Sequence, residues 1–148
     1  MGITTKSGDK GFTYIKDKSL AKDDIIFDLL GTIDETIAWL VLCYNLTNDI
    51  VFKNIVDELS AIAGVVAGYG KIDLHESIKL MEDKTLSFHH INIFTYPYND
   101  YNKSIINLTR SVVRRLERLF WKYKQIYEID DNIGVYLNRL SDFLYTFI

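Results

Sequence analysis

Between Asp24 and about Leu46 the apolar positions Ile26, Leu29, Ile33, Ile37, Leu40 and Tyr44 recur in steps of three and four. That is the period of a helix with one buried side. Three further segments repeat it. Asp49 to about Gly68 carries Val51, Ile55, Leu59, Ile62 and Val66, with Gly64 and Gly68 leaving room for a close neighbour. Tyr101 to about Tyr127 sets Ile105, Leu108, Val112, Leu116, Leu119 and Tyr123 along one stripe. Asp130 to Ile148 does so with Ile133, Leu137, Leu140, Leu144 and Phe147, behind two aspartates suited to a helix start. Between the second and third long segments, "HESIKLMEDKTL" predicts a short helix, and "INIFTYPYND" an extended loop closed by a turn at Pro97. No period runs through the first 23 residues. The pattern predicts an all-α chain, an antiparallel helix bundle with an irregular N-terminal arm, as one domain over residues 1–148.

Composition narrows the function classes more than it changes the fold. A net charge of −3 gives no general electrostatic case for nucleic acid or an anionic membrane. The longest apolar run, Ile37 to Tyr44, is far short of the roughly 18 residues that a membrane span needs. The N-terminus has no apolar segment of the signal-peptide kind, and a soluble protein is expected. One cysteine, Cys43, can form neither an internal disulfide nor a cysteine-based metal site, which suits a reducing cytoplasm. His75, His89 and His90 make no metal-binding spacing. Neither a Gly-x-Ser-x-Gly elbow nor a cysteine–histidine nucleophile pattern is present.

Four places remain where chemistry could sit. "TTKSGDKGFTYI" (4–15) combines glycines, free amides and the hydroxyls of Thr5, Ser7 and Thr13 around Lys6. It has the spacing of neither a Walker loop nor a dinucleotide fingerprint, so it reads as a plain turn or as a cradle for an anion. Lys22 could add a mobile positive charge there. In "RSVVRRLER", Arg110, Arg114, Glu117 and Trp121 share one helix face. The two arginines are either solvated or a forked site for phosphate or carboxylate. Asp34, in "GTIDE", lies at the edge of a solvated face or pairs with an arginine from a neighbour. In "YLNRLSDF", Asn138, Ser141 and Asp142 are expected on one face, away from the apolar stripe, and Asn138 is a poor helix former. The aromatics Phe88, Phe94, Tyr96, Tyr98 and Tyr101 are expected to pack within their loop or to cover a flat ligand.

Taken in order, "TKSGDKGFT" (5–13), "AKDD" (21–24), "GTIDE" (31–35), "RSVVRRLER" (110–118) and "YLNRLSDF" (136–143) resemble the PduO-type ATP:cob(I)alamin adenosyltransferases. The resemblance implies a homotrimer of five-helix bundles, with active sites between subunits and the arm binding ATP. It implies transfer of the 5′-deoxyadenosyl group of ATP to cob(I)alamin, giving adenosylcobalamin and triphosphate. Cobalt is then the nucleophile, in keeping with the missing protein nucleophiles. Thr5, Lys6, Ser7, Gly8 and Thr13 would wrap the triphosphate, accompanied by Mg2+ and by the charge of Lys22. Arg114 and Asn138 would contact ATP. Arg110 would pair with Asp34 across the subunit boundary, and Phe94 would close the lower corrin face. A cobalamin-reducing protein is an implied partner. Where the family commonly has Phe-x-x-Pro-Gly-Gly, this chain reads "FTYPYN", and it stops soon after "LSDF". Those departures leave open a non-catalytic carrier or sensor of ATP or adenosylcobalamin.

Overall fold

The computed structural model describes residues 2–88 and 95–148. Its elements are β1 (Phe12–Ile15), β2 (Lys18–Ala21), α1 (Ile25–Thr47), α2 (Ile50–Val66), α3 (His75–Leu86), α4 (Tyr101–Lys124) and α5 (Asp131–Tyr145). The four long helices start where the sequence carries aspartate. The carboxylates of Asp24, Asp49, Asp100 and Asp130 accept from the backbone N–H of Ile26, Val51, Lys103 and Asn132 respectively. Each such cap is worth about 1 kcal/mol. Between α1 and α2 stand only Asn48, in the left-handed region at φ 56°, and the capping Asp49. So tight a link makes the two helices antiparallel neighbours.

α1 packs on α2 and α4, and α5 lies between α4 and α3. The core runs along the bundle axis, with Leu40, Phe52, Leu59, Leu116, Tyr136 and Leu140 among the residues sealed from solvent. Tyr136 ties three helices together. Its hydroxyl donates to Glu58 Oε2 at 2.6 Å, while Ser77 of α3 donates to the other carboxylate oxygen.

Several expectations shift. The stripe on α4 is rotated: Ile106, Thr109, Val113 and Phe120 lie deep, whereas Leu108 is 43% exposed. Thr109 can occupy the core because its hydroxyl donates to Ile105 O and lies 3.3 Å from Cys43 Sγ. Apolar residues on several sides of α4 left its inner face ambiguous, and a self-satisfied threonine decided it. Ser141 likewise turns inward, 2% exposed, rather than sharing an outer face with Asn138 and Asp142. α2 ends at Val66, where Gly68 breaks the helix at φ 85°. Of the aromatics expected to pack within the loop, Tyr96, Tyr98 and Tyr101 are exposed, with the Tyr96 and Tyr98 rings tilted against each other at 6.3 Å.

The arm is more ordered than its sequence suggests. β1 and β2 form an antiparallel hairpin in the register Phe12↔Ala21 to Ile15↔Lys18. Ile15 and Leu20 face the core, while Phe12 and Tyr14 look outward. Lys16 takes the left-handed turn position at φ 51°, and its ammonium sits 4.8 Å from the centre of the Tyr69 ring. That contact pins the hairpin to the end of α2. The four-residue strands were too short for a period-two signal to stand out.

Candidate nucleotide and corrinoid site

The stretch before the hairpin is built from tight turns. Asp9 N–H donates to Lys6 O at 3.3 Å and Gly11 N–H to Gly8 O at 3.2 Å, with Lys6 at φ 58° and Gly11 at φ 79°. Thr5 and Ser7 hydroxyls lie 2.8 Å apart. The backbone N–H of Lys22 closes the loop onto Gly11 O at 2.8 Å. The Lys22 ammonium then folds over Gly8, so closely that a Cβ on Gly8 would stand 2.6 Å from Nζ. Thr5, Lys6 and Ser7 are exposed and Thr13 is half-buried. The fold thus brings Gly8 and Lys22 together, in a loop with exposed hydroxyls and amides beside lysine charge, the chemistry of an anion cradle.

A second set forms on α4 and α5. Arg110 is half-buried; its Nε donates to Asn107 Oδ1 at 3.0 Å, and its guanidinium lies 5.7 Å from the centre of the Tyr145 ring. Burial, and then the nearby charge of Arg114, lower its pKa from the usual arginine value. The nearby charges of Tyr145 and Asp142 act in the opposite direction. Arg114, one turn on, is exposed. Asn138 joins this face through Glu117, whose Oε1 accepts from Nδ2 at 3.1 Å. The same helix contact explains Gly134: a Cβ there would stand 2.3 Å from the Trp121 ring, so the glycine admits the indole.

Asp34 stands elsewhere. It is exposed, in an open groove of about 350 Å³ between α1 and α2 that Phe27, Leu30, Gly31, Ile37 and Ala63 line. Its neighbour Glu35 turns the other way and pairs with Arg115 of α4. Among the described residues, Asp34 makes no ion pair within its chain. Arg110, against α5, and Asp34, against α2, occupy different faces. Phe94, His89 and His90 lie outside the described residues. Among the described residues no group of histidine, cysteine or carboxylate side chains could hold a metal ion. No helix among them is long and apolar enough to cross a membrane.

Three groups escaped the sequence reading. Arg139, Glu82 and Tyr145 surround the predicted residues, yet only their helix neighbours carried a signal: Arg139 sits beside Asn138, and Glu82 lies on the short helix between the motifs.

The five-helix bundle is the fold of a known class. It superposes with a TM-score of 0.89 on a variant PduO-type ATP:corrinoid adenosyltransferase from Lactobacillus reuteri complexed with cobalamin and ATP. That match covers 98% of this chain and 88% of the other at 23% identity, and establishes the fold. The model of the cobalamin adenosyltransferase family matches residues 3–148, so this chain belongs to that family. It is 25% identical to the corrinoid adenosyltransferase of Citrobacter freundii, over 97% of this chain and 91% of that one. Identity to the Bacillus subtilis corrinoid adenosyltransferase is 28%, over 98% and 83%.

Proposed function

We propose that this chain transfers the 5′-deoxyadenosyl group of ATP to cob(I)alamin, releasing adenosylcobalamin and triphosphate. The observation that carries the reading is the family match over nearly the whole chain. The Gly8–Lys22 cradle and the arginine face of α4 are consistent with it. Cob(I)alamin donates an electron pair from cobalt to C5′ of ATP. The cobalt–carbon bond forms as the C5′–O bond breaks, and that bonding pair leaves on triphosphate. Cobalt rises formally from Co(I) to Co(III), and no protein nucleophile is consumed.

The chain's own residues then have two tasks. Lysine and arginine donors stabilise the charge that grows on the leaving triphosphate, a task that falls to Lys6, Lys22 and Arg114. Thr5, Ser7, Gly8 and Thr13 shape the loop around it. Asn138 holds the nucleotide so that C5′ faces the corrin, an orientation effect. Magnesium accompanies the triphosphate as part of the substrate, bound through phosphate oxygens.

The working unit in this reading is a homotrimer in the cytoplasm. Asp34 and Arg110 lie on different faces of one chain, which supports their pairing between two chains. Phe94 is assigned to the lower face of the corrin, as the resemblance implies. A reducing protein would supply the cob(I) state.

Purified protein, ATP, Mg2+ and chemically reduced cobalamin should develop the visible spectrum of an alkylated corrinoid. Binding of ATP and cobalamin without that spectral change, beside an active control enzyme, would replace the catalytic reading with the carrier or sensor.

A further inference from the structure

Asn138 is not a lone side chain reaching from α5. Its Nδ2 donates to Glu117 Oε1 at 3.1 Å, and its Oδ1 accepts from Arg139 Nη1 at 2.8 Å. Arg139 is anchored in turn, its Nε donating to Glu82 Oε1 at 2.6 Å. The chain Glu82–Arg139–Asn138–Glu117 therefore crosses from α3 through α5 to α4.

The chemistry of the two flanking groups permits one amide orientation only. A carboxylate accepts and does not donate; a guanidinium donates and does not accept. Reversing the amide would set its carbonyl against Glu117 and its NH2 against Arg139, two repulsive pairings in place of two hydrogen bonds. Both members of the outer pair are partly exposed, with Arg139 and Glu82 side chains at 35% and 41%. Such pairs add little to stability. Their effect is on direction. With one N–H and one carbonyl lone pair already engaged, the amide keeps one donor and one acceptor at fixed positions for a ligand.

We propose that Glu117 and Arg139 are positioning residues that fix the Asn138 amide to read the uncharged nucleoside half of ATP. This rests on the reading of Asn138 as a nucleotide contact. The hydrogen-bonding pattern selects the nucleoside over the phosphates. The charges of Glu117 and Arg139 oppose each other at the amide, and phosphate oxygens, which only accept, could use its donor alone, whereas a sugar hydroxyl or a base edge matches a donor set beside an acceptor. The anionic end of the nucleotide then belongs to the lysine loop and Arg114. Glu117 thus has a role different from that of the arginines on its own helix face.

The test is a double-mutant cycle on the full-length protein, reading affinity for ATP and, separately, for inorganic triphosphate. Asn138→Ala should weaken ATP about tenfold, the value of one or two hydrogen bonds. Glu117→Ala should lose about threefold to tenfold. The double variant should be no weaker than Asn138→Ala alone, because Glu117 acts through Asn138. Glu117→Gln, which keeps an acceptor and the shape, should recover most of the loss. KM for ATP should rise more than kcat falls, and affinity for triphosphate should stay within about twofold in every variant. Multiplying losses in the double variant, or a parallel fall in triphosphate affinity, would overturn the proposal. Unchanged ATP affinity in Asn138→Ala would remove Asn138 from the nucleotide site, and the positioning role with it. The adenosyl-transfer reading is judged apart from this, by whether the wild-type protein forms the cobalt–carbon bond.

Discussion

Replacing Tyr136 by phenylalanine removes one oxygen from the centre of the bundle, and its consequences can be worked out in sign and size. Tyr136 is 0% exposed and its hydroxyl donates to Glu58 at 2.6 Å. A hydrogen bond to a charged partner contributes about 1.5–3 kcal/mol. The lower end applies, because Glu58 is only half-buried and keeps its bond from Ser77. A loss of about 1.5 kcal/mol lowers Tm by about 3–6 °C in a domain of this size. The same phenol has a pKa well above 10, chiefly through burial and then through the charge of Glu58 and the hydrogen bond to it. A raised folded-state pKa gives stability that is fully present below the unfolded value of about 10 and is lost as pH rises past it. Each tyrosine that withholds its proton in this way steepens the alkaline loss by about 1.4 kcal/mol per pH unit. Urea unfolding at pH 7, 10 and 11 should therefore find Tyr136→Phe less stable at pH 7 and the gap closed near pH 11. Tyr123 and Tyr127 are also raised and titrate alike in both proteins. A gap that is absent at pH 7, or constant up to pH 11, would refute the reasoning.

Other perturbations separate the site from the scaffold. Lys6→Ala or Arg114→Ala should weaken ATP binding by calorimetry on the order of tenfold, while Tm changes little, since both side chains are exposed. In the proposed trimer, Asp34→Arg and Arg110→Asp should each shift sedimentation to the monomer, and the two together should restore the trimer; a monomeric wild type would end that reading. Gly134→Ala should displace the Trp121 ring and cost about 1 kcal/mol, the overpacking penalty less the helix-propensity gain from losing glycine. Unshifted tryptophan fluorescence would contradict it.

Helices were legible because their signals are local. Asp24, Asp49 and Asp130 announce starts, and the stripe Ile55, Leu59, Ile62, Val66 emerges buried as spaced. What failed needed partners from far along the chain. Thr109 donates locally to Ile105 O, but its place in the core also rests on the contact of its hydroxyl with Cys43 of α1. The hairpin docks through Ile15 and Leu20 on the core and through Lys16 on Tyr69, more than fifty residues later. The arginines stood out as candidates by their spacing on one turn, and Asn138 by its poor fit to a helix. Arg139 carried no signal of its own, since nothing near it in sequence reports the Glu82 carboxylate on α3. The separation of Asp34 from Arg110 within one chain was implied by the resemblance alone and not by local pattern, because it depends on which neighbour each helix face meets.

The central claim is that ATP gives up its adenosyl group rather than a phosphoryl group. Quantifying both products of one reaction tests it most directly. With reduced cobalamin limiting, adenosylcobalamin by chromatography and intact inorganic triphosphate by phosphorus NMR should appear in equal amounts. Release of orthophosphate or pyrophosphate instead, or no adenosylcobalamin while ATP disappears, would contradict it.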